Sequence, residues 1–191
     1  FGSVDADADN FGVDIIYQDL ADANLSIPTN IAKRARGASG FNDGFWIVGG
    51  SAQIECKSRI SQLATRETSQ GYANPYRVFY WNQGEDDFTY TQAEYVTDWR
   101  AMMNDFEAAM GASFDLVIIV YVPWVNASIP RAALAEIVNN AYDGRTYVGI
   151  DVFANVGDRY PLQVDAVHLT KEGHQNLGID VYTEIANRII T

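Results

Sequence analysis

One cysteine, Cys56, and two histidines are all that this 191-residue chain holds of the residues that staple or ligate most often. A lone cysteine forms no internal disulfide and no thiolate metal cluster. It suits a reducing compartment, and equally a virion-associated or extracellular protein that needs no staples. Positive charge is also scarce. Lys and Arg number 13 against 25 Asp and Glu, which leaves a formal net charge of -12. Such a surface repels phosphate backbones and anionic bilayers, so neither nucleic acid nor membrane is an expected partner, whereas a neutral sugar is compatible with it. Long apolar runs are missing too: the longest, Leu116 to Val122, is strand-sized and far short of a bilayer span. Phe1 opens the chain with no basic or apolar leader behind it.

What is present is an ordinary globular composition with enough apolar residues for one buried core, and no repeat, linker or low-complexity tract divides it. From about residue 28, strand-like and helical patterns alternate. Pro28 to Arg36 reads as a short helix with proline in its first turn. Phe45 to Gly49 reads as a short buried strand, followed by a helix with Ile54, Ile60 and Leu63 on its apolar face. Arg77 to Trp81 is a second strand. Gln92 to Met110 repeats Tyr95, Trp99, Met102, Met103, Phe106 and Met110 at helical spacing, and Gly111 closes it. Asp115 to Val122 is apolar on both faces, as a central parallel strand requires. Ala132 to Tyr142 is a helix, Thr146 to Val152 a fourth strand, and Thr170 to Ile190 the closing helix with Thr170 as N-cap. The alternation predicts an α/β fold, a three-layer α/β/α sandwich whose four strands form one central parallel sheet. In such sheets ligands bind beyond the carboxyl ends of the strands, so the chemistry is sought just after each strand.

Asp165 and His168 stand between the fourth strand and the last helix. In an Asp-x-x-His turn the carboxylate takes a hydrogen bond from one imidazole nitrogen, and the other nitrogen is left to accept a proton from a hydroxyl nucleophile. A histidine that merely packs against the last helix is the competing reading. Trp81 to Asp87 (WNQGEDD) follows the second strand. Gln83 there can aim its side-chain NH2 at a developing oxyanion, Gly84 permits a tight turn, and Glu85 can lock the loop. Asp86 and Asp87 are read as acidic residues complementing a helix dipole.

These stretches carry a family resemblance. WNQGEDD resembles the W-x-Q-G-E-x-D signature of the sialate O-acetylesterase-like branch of the SGNH hydrolases. DAVHLTKEGHQNLG is similar to that family's last block, and GGSAQIE to its second, in the same order along residues 28 to 190. The resemblance implies a flavodoxin-like sandwich and a carbohydrate O-acetylesterase working through a serine acyl-enzyme, with no cofactor and no metal. By it His168 is the general base and Asp165 its orienting partner. The Gly50 N–H and the Gln83 side chain form the oxyanion hole, and Glu85 supports them. The family's nucleophile is a serine on a turn after an earlier strand, and no such block is found. Ser51 follows a strand but stands beside the second-block glycine and is read as a helix cap. Ser3 lacks both the strand and the glycine before it. The expectation is therefore a domain over residues 1–191 whose first strand and serine lie before Phe1. The alternatives are a non-catalytic carbohydrate-binding relative and a structural module of a larger assembly such as a phage tail; a homo-oligomer is compatible with each.

Other features are discounted. Asp5, Asp7 and Asp9 alternate as in a calcium loop, but Asn10 and Ile16 stand where glycine and glutamate belong. His174 falls within the last helix with no cysteine nearby. Asn24 and Asn126 match a frequent glycosylation pattern. Tyr72, Tyr76, Trp46 and Trp124 are candidates for stacking against a sugar, Trp124 foremost because it follows a strand directly.

Overall fold

The computed structural model describes residues 39–140 and 145–189. The expected helix at 28–36, the Asp5–Asp9 alternation and Ser3 lie outside them. In chain order the elements are α1 (Ser51–Ser69), β1 (Val78–Trp81), a 3-10 turn (Glu85–Asp87), α2 (Gln92–Met110), β2 (Leu116–Tyr121), α3 (Ser128–Asn140), β3 (Thr146–Asp151), a second 3-10 turn (Phe153–Asn155) and α4 (Lys171–Ile189).

The three strands form one parallel sheet in the order β1-β2-β3, with Val78 beside Leu116 and Leu116 beside Thr146. β2 is central, and its period-two alternation divides the core. Val117 and Ile119 face a cluster containing Ala52 and Ile60 of α1, Trp99 and Phe106 of α2, and Leu134 and Ile137 of α3. Leu116, Ile118 and Val120 face the other way, onto Leu177, Val181 and Ile185 of α4. Among the described residues, three helices thus cover one face and the closing helix the other, an arrangement compatible with an α/β/α sandwich.

Local chemistry explains the element ends. Thr91 caps α2 in a capping box with Glu94, and Gly111 ends it in the left-handed region at φ 71°. Thr170 Oγ1 accepts the Gly173 N–H at 3.2 Å and starts α4. Pro130 sits in the first turn of α3, which therefore begins four residues before the expected Ala132.

One strand is corrected. Phe45 to Gly49 is a series of turns. Gly44 and Gly49 take positive φ (80° and 91°), and the backbone bonds are local: Gly44 N–H to Phe41 O at 3.0 Å, Gly50 N–H to Ile47 O at 2.8 Å. The apolar run serves packing instead of pairing: Trp46 is buried edge-on against Trp81, with ring centroids 5.1 Å apart. Two further expectations fall with it. Ile54 is exposed, so the buried face of α1 is made by Ala52, Gln53 and Ile60. Ser51 does not cap α1; Gly50 occupies the N-cap position with no side-chain bond.

Candidate active site

The segment between β3 and α4 is built around Asp165. Leu162 and Leu169 pair antiparallel, and the Gln163 N–H donates to the His168 carbonyl at 2.8 Å, which closes a short loop. Inside it Asp165 Oδ1 accepts the N–H groups of Val167 (2.9 Å) and His168 (3.0 Å). Aspartate is suited to such a turn because its short side chain reaches the backbone two and three residues ahead. Ala166, between them, has φ 56° and is the only non-glycine residue with positive φ among those described. That conformation costs an L-residue about 1–2 kcal/mol, and the Asp165 bonds offset it.

The second oxygen, Asp165 Oδ2, lies 2.7 Å from Nδ1 of His168. The His168 backbone and ring and the Val167 N–H hold the Asp165 carboxyl down at about 2, so the carboxylate is ionised throughout the neutral range. The imidazole is largely exposed, at 67% of its side-chain surface, and no described residue hydrogen-bonds Nε2. Among the described residues Asp165 is the only side chain that hydrogen-bonds the ring.

The loop after β1 reaches the same edge. Glu85 interacts electrostatically with His168. Burial pushes the Glu85 carboxyl up from its ordinary value; the N–H groups of Glu85 and Gly84 and the nearby His168 pull it partly back. Burial likewise pushes up Tyr80, whose hydroxyl shares a hydrogen bond with Asn82. Gly84 turns the chain at φ 144°, a conformation closed to residues with a Cβ.

Gln83 is buried, and its amide is fully engaged. Nε2 donates to the Ser39 carbonyl at 3.0 Å and to Asp87 Oδ2 at 2.8 Å, while Oε1 accepts the Tyr95 hydroxyl at 3.2 Å. Gly50, the other expected donor, has its N–H engaged in a local turn. Its N–H serves the Ile47 carbonyl, and a Cβ on it would strike Gly44 O and Phe45 O. The backbone group that the Gln83 side chain binds in the segment Ser39 to Asn42 is the Ser39 carbonyl. Asp87, read from sequence as a dipole partner, is buried and binds that segment. The signal for it lay in the last position of the W-x-Q-G-E-x-D pattern.

Of the aromatic candidates, Trp46 is core and Tyr76 lies at the opposite, amino end of β1. Trp124 follows β2 at the carboxyl edge, half-buried, with the exposed Phe88 ring perpendicular to it at 5.3 Å. Arg131 binds the carbonyls of Trp124 and Val125 and lies 3.7 Å above the Phe153 ring. Loops after all three strands are thereby joined. No set of three His, Cys, Asp or Glu side chains among the described residues is placed to hold a metal.

A solved structure of a protein from Arabidopsis thaliana shares this fold. It superposes with a TM-score of 0.67 at 17% identity, over 91% of this chain and 67% of the plant protein. At that identity the likeness concerns the fold alone. No protein-family model and no curated protein matches the chain.

Proposed function

We propose that the chain is the larger part of an SGNH-type serine esterase, on a flavodoxin-like sandwich, that removes acetyl groups from carbohydrate. The observation that carries this reading is the Asp165–His168 pair, 2.7 Å apart in the loop that follows the last described strand, with the far imidazole nitrogen unbonded among the described residues. Asp165 fixes the tautomer with the proton on Nδ1, so Nε2 accepts the proton of a serine hydroxyl as that oxygen attacks the acetyl carbonyl. The resulting imidazolium gives its proton to the departing sugar oxygen as the ester C–O bond breaks. Water, deprotonated by the same nitrogen, then attacks the acyl-serine, and the proton passes to the serine oxygen as acetate leaves. The serine is proposed to come from outside the described residues. The reaction as drawn uses side chains alone.

Hydrolysis of an aryl acetate and of acetylated sugars by the full-length protein tests the reading. His168→Ala should lower kcat on the order of 10³- to 10⁴-fold. A variant that keeps most of the activity removes His168 from the mechanism.

A non-catalytic carbohydrate-binding module is the second reading. It is favoured by the absence, among the described residues, of a hydroxyl bonded to the His168 ring. A fluorophosphonate probe separates the two. Covalent labelling of one serine supports the esterase; sugar binding without labelling supports the module.

A further inference from the structure

Asp87 is the one acidic residue among those described that is wholly buried, at 0% exposure. A carboxylate in that position is costly unless donors surround it. Three do. The N–H groups of Phe41 and Asn42 reach Oδ1 at 2.7 and 3.0 Å, and Gln83 Nε2 reaches Oδ2 at 2.8 Å. Burial pushes the Asp87 carboxyl up from its ordinary value, and those donors pull it partly back. Two of the partners are 46 and 45 residues away in the chain, so the carboxylate ties the turn after β1 to a distant loop. The approach is close: a Cβ on Gly40 would lie 2.4 Å from Asp87 Oδ1.

The same bonds fix the sense of the Gln83 amide. Reversed, its oxygen would face both the Asp87 carboxylate and the Ser39 carbonyl, three acceptors with no hydrogen among them. Of the two bonds Nε2 makes, the one to the carboxylate is charge-assisted and the stronger. The bond to the Ser39 carbonyl is the one that a developing oxyanion would displace. We infer that Asp87 is a positioning residue: its buried carboxylate anchors the Gln83 amide and docks Ser39–Asn42 onto the turn after β1. The lock stands on its hydrogen bonds; its effect on turnover rests on the esterase reading.

Two measurements on the full-length protein test it. Hydrogen–deuterium exchange at the Phe41 and Asn42 amides reads the lock, and hydrolysis of p-nitrophenyl acetate reads its consequence. Asp87→Asn keeps the shape and the Oδ1 acceptor but sets an NH2 group against the Gln83 NH2; Asp87→Ala removes the acceptors altogether. Exchange at Phe41 and Asn42 should quicken about tenfold or more in Asp87→Ala and less in Asp87→Asn, with Val117 and Ile119 of β2 unchanged in Asp87→Asn. In that milder variant kcat should fall about tenfold or more at constant KM. Unchanged exchange in both variants overturns the lock. Quickened exchange with full kcat overturns the positioning role. A wild-type protein that hydrolyses no ester defeats the esterase reading instead, and the exchange data still decide the lock.

Discussion

Asp165 binds His168 twice, through Oδ1 to its backbone N–H at 3.0 Å and through Oδ2 to its ring at 2.7 Å. One side chain thereby shapes the turn and orients the imidazole within it. Because the carboxyl is held down at about 2, folding gains from its charge above the ordinary aspartate value and loses that gain as pH falls through about 2. A carbon-detected NMR titration should place the Asp165 midpoint near 2, well below a free aspartate. Asp165→Asn should remove this acid-range dependence and leave the ring free to rotate. A midpoint at the ordinary value would mean that the turn does not hold the carboxylate in solution.

Glu85 behaves in the opposite sense. Burial raises its carboxyl, so the charged form is disfavoured in the folded protein. Its contribution to stability is full below the ordinary glutamate value and is lost as pH rises through the raised one. Glu85→Gln removes the ionisation. The variant should melt higher than the wild type at about pH 8, and the gap should close towards about pH 4. Thermal denaturation at the two pH values checks this. An equal gap at both would show that the Glu85 charge is not the cause.

Much of this architecture is written in local pattern. The bounds of α2 follow from Thr91, Glu94 and Gly111, and β2 from an apolar run with no polar face. The Asp165–His168 contact follows from a three-residue spacing. What was illegible depends on partners distant in sequence. The run Phe45 to Gly49 has the composition of a strand, yet Gly44 and Gly49 bend it and Trp46 plugs the core beside Trp81. Asp87 looks like one of three consecutive acidic residues; only its bonds to Phe41 and Asn42 set it apart from Asp86. The motif points to Gly50, whose N–H is bonded to the Ile47 carbonyl in a turn that the motif does not encode.

The aromatic rings at the carboxyl edge should make KM depend on substrate size. Trp124 and Phe88 present perpendicular rings at the carboxyl edge, joined through Arg131 to Phe153. Pyranose rings expose apolar C–H faces that pack on such aromatics, and each ring contact adds free energy to binding without touching the acetyl carbon. Under the proposed function these rings act on the sugar and not on the ester. Trp124→Ala should therefore raise KM for an acetylated oligosaccharide about tenfold, which corresponds to roughly 1.4 kcal/mol of lost contact, and leave kcat/KM for p-nitrophenyl acetate within about twofold. Steady-state kinetics on the two substrates give the comparison directly. A parallel loss on both would mean that Trp124 supports the loop after β2, whose carbonyls Arg131 holds, and the platform would then have to be sought elsewhere on the carboxyl edge.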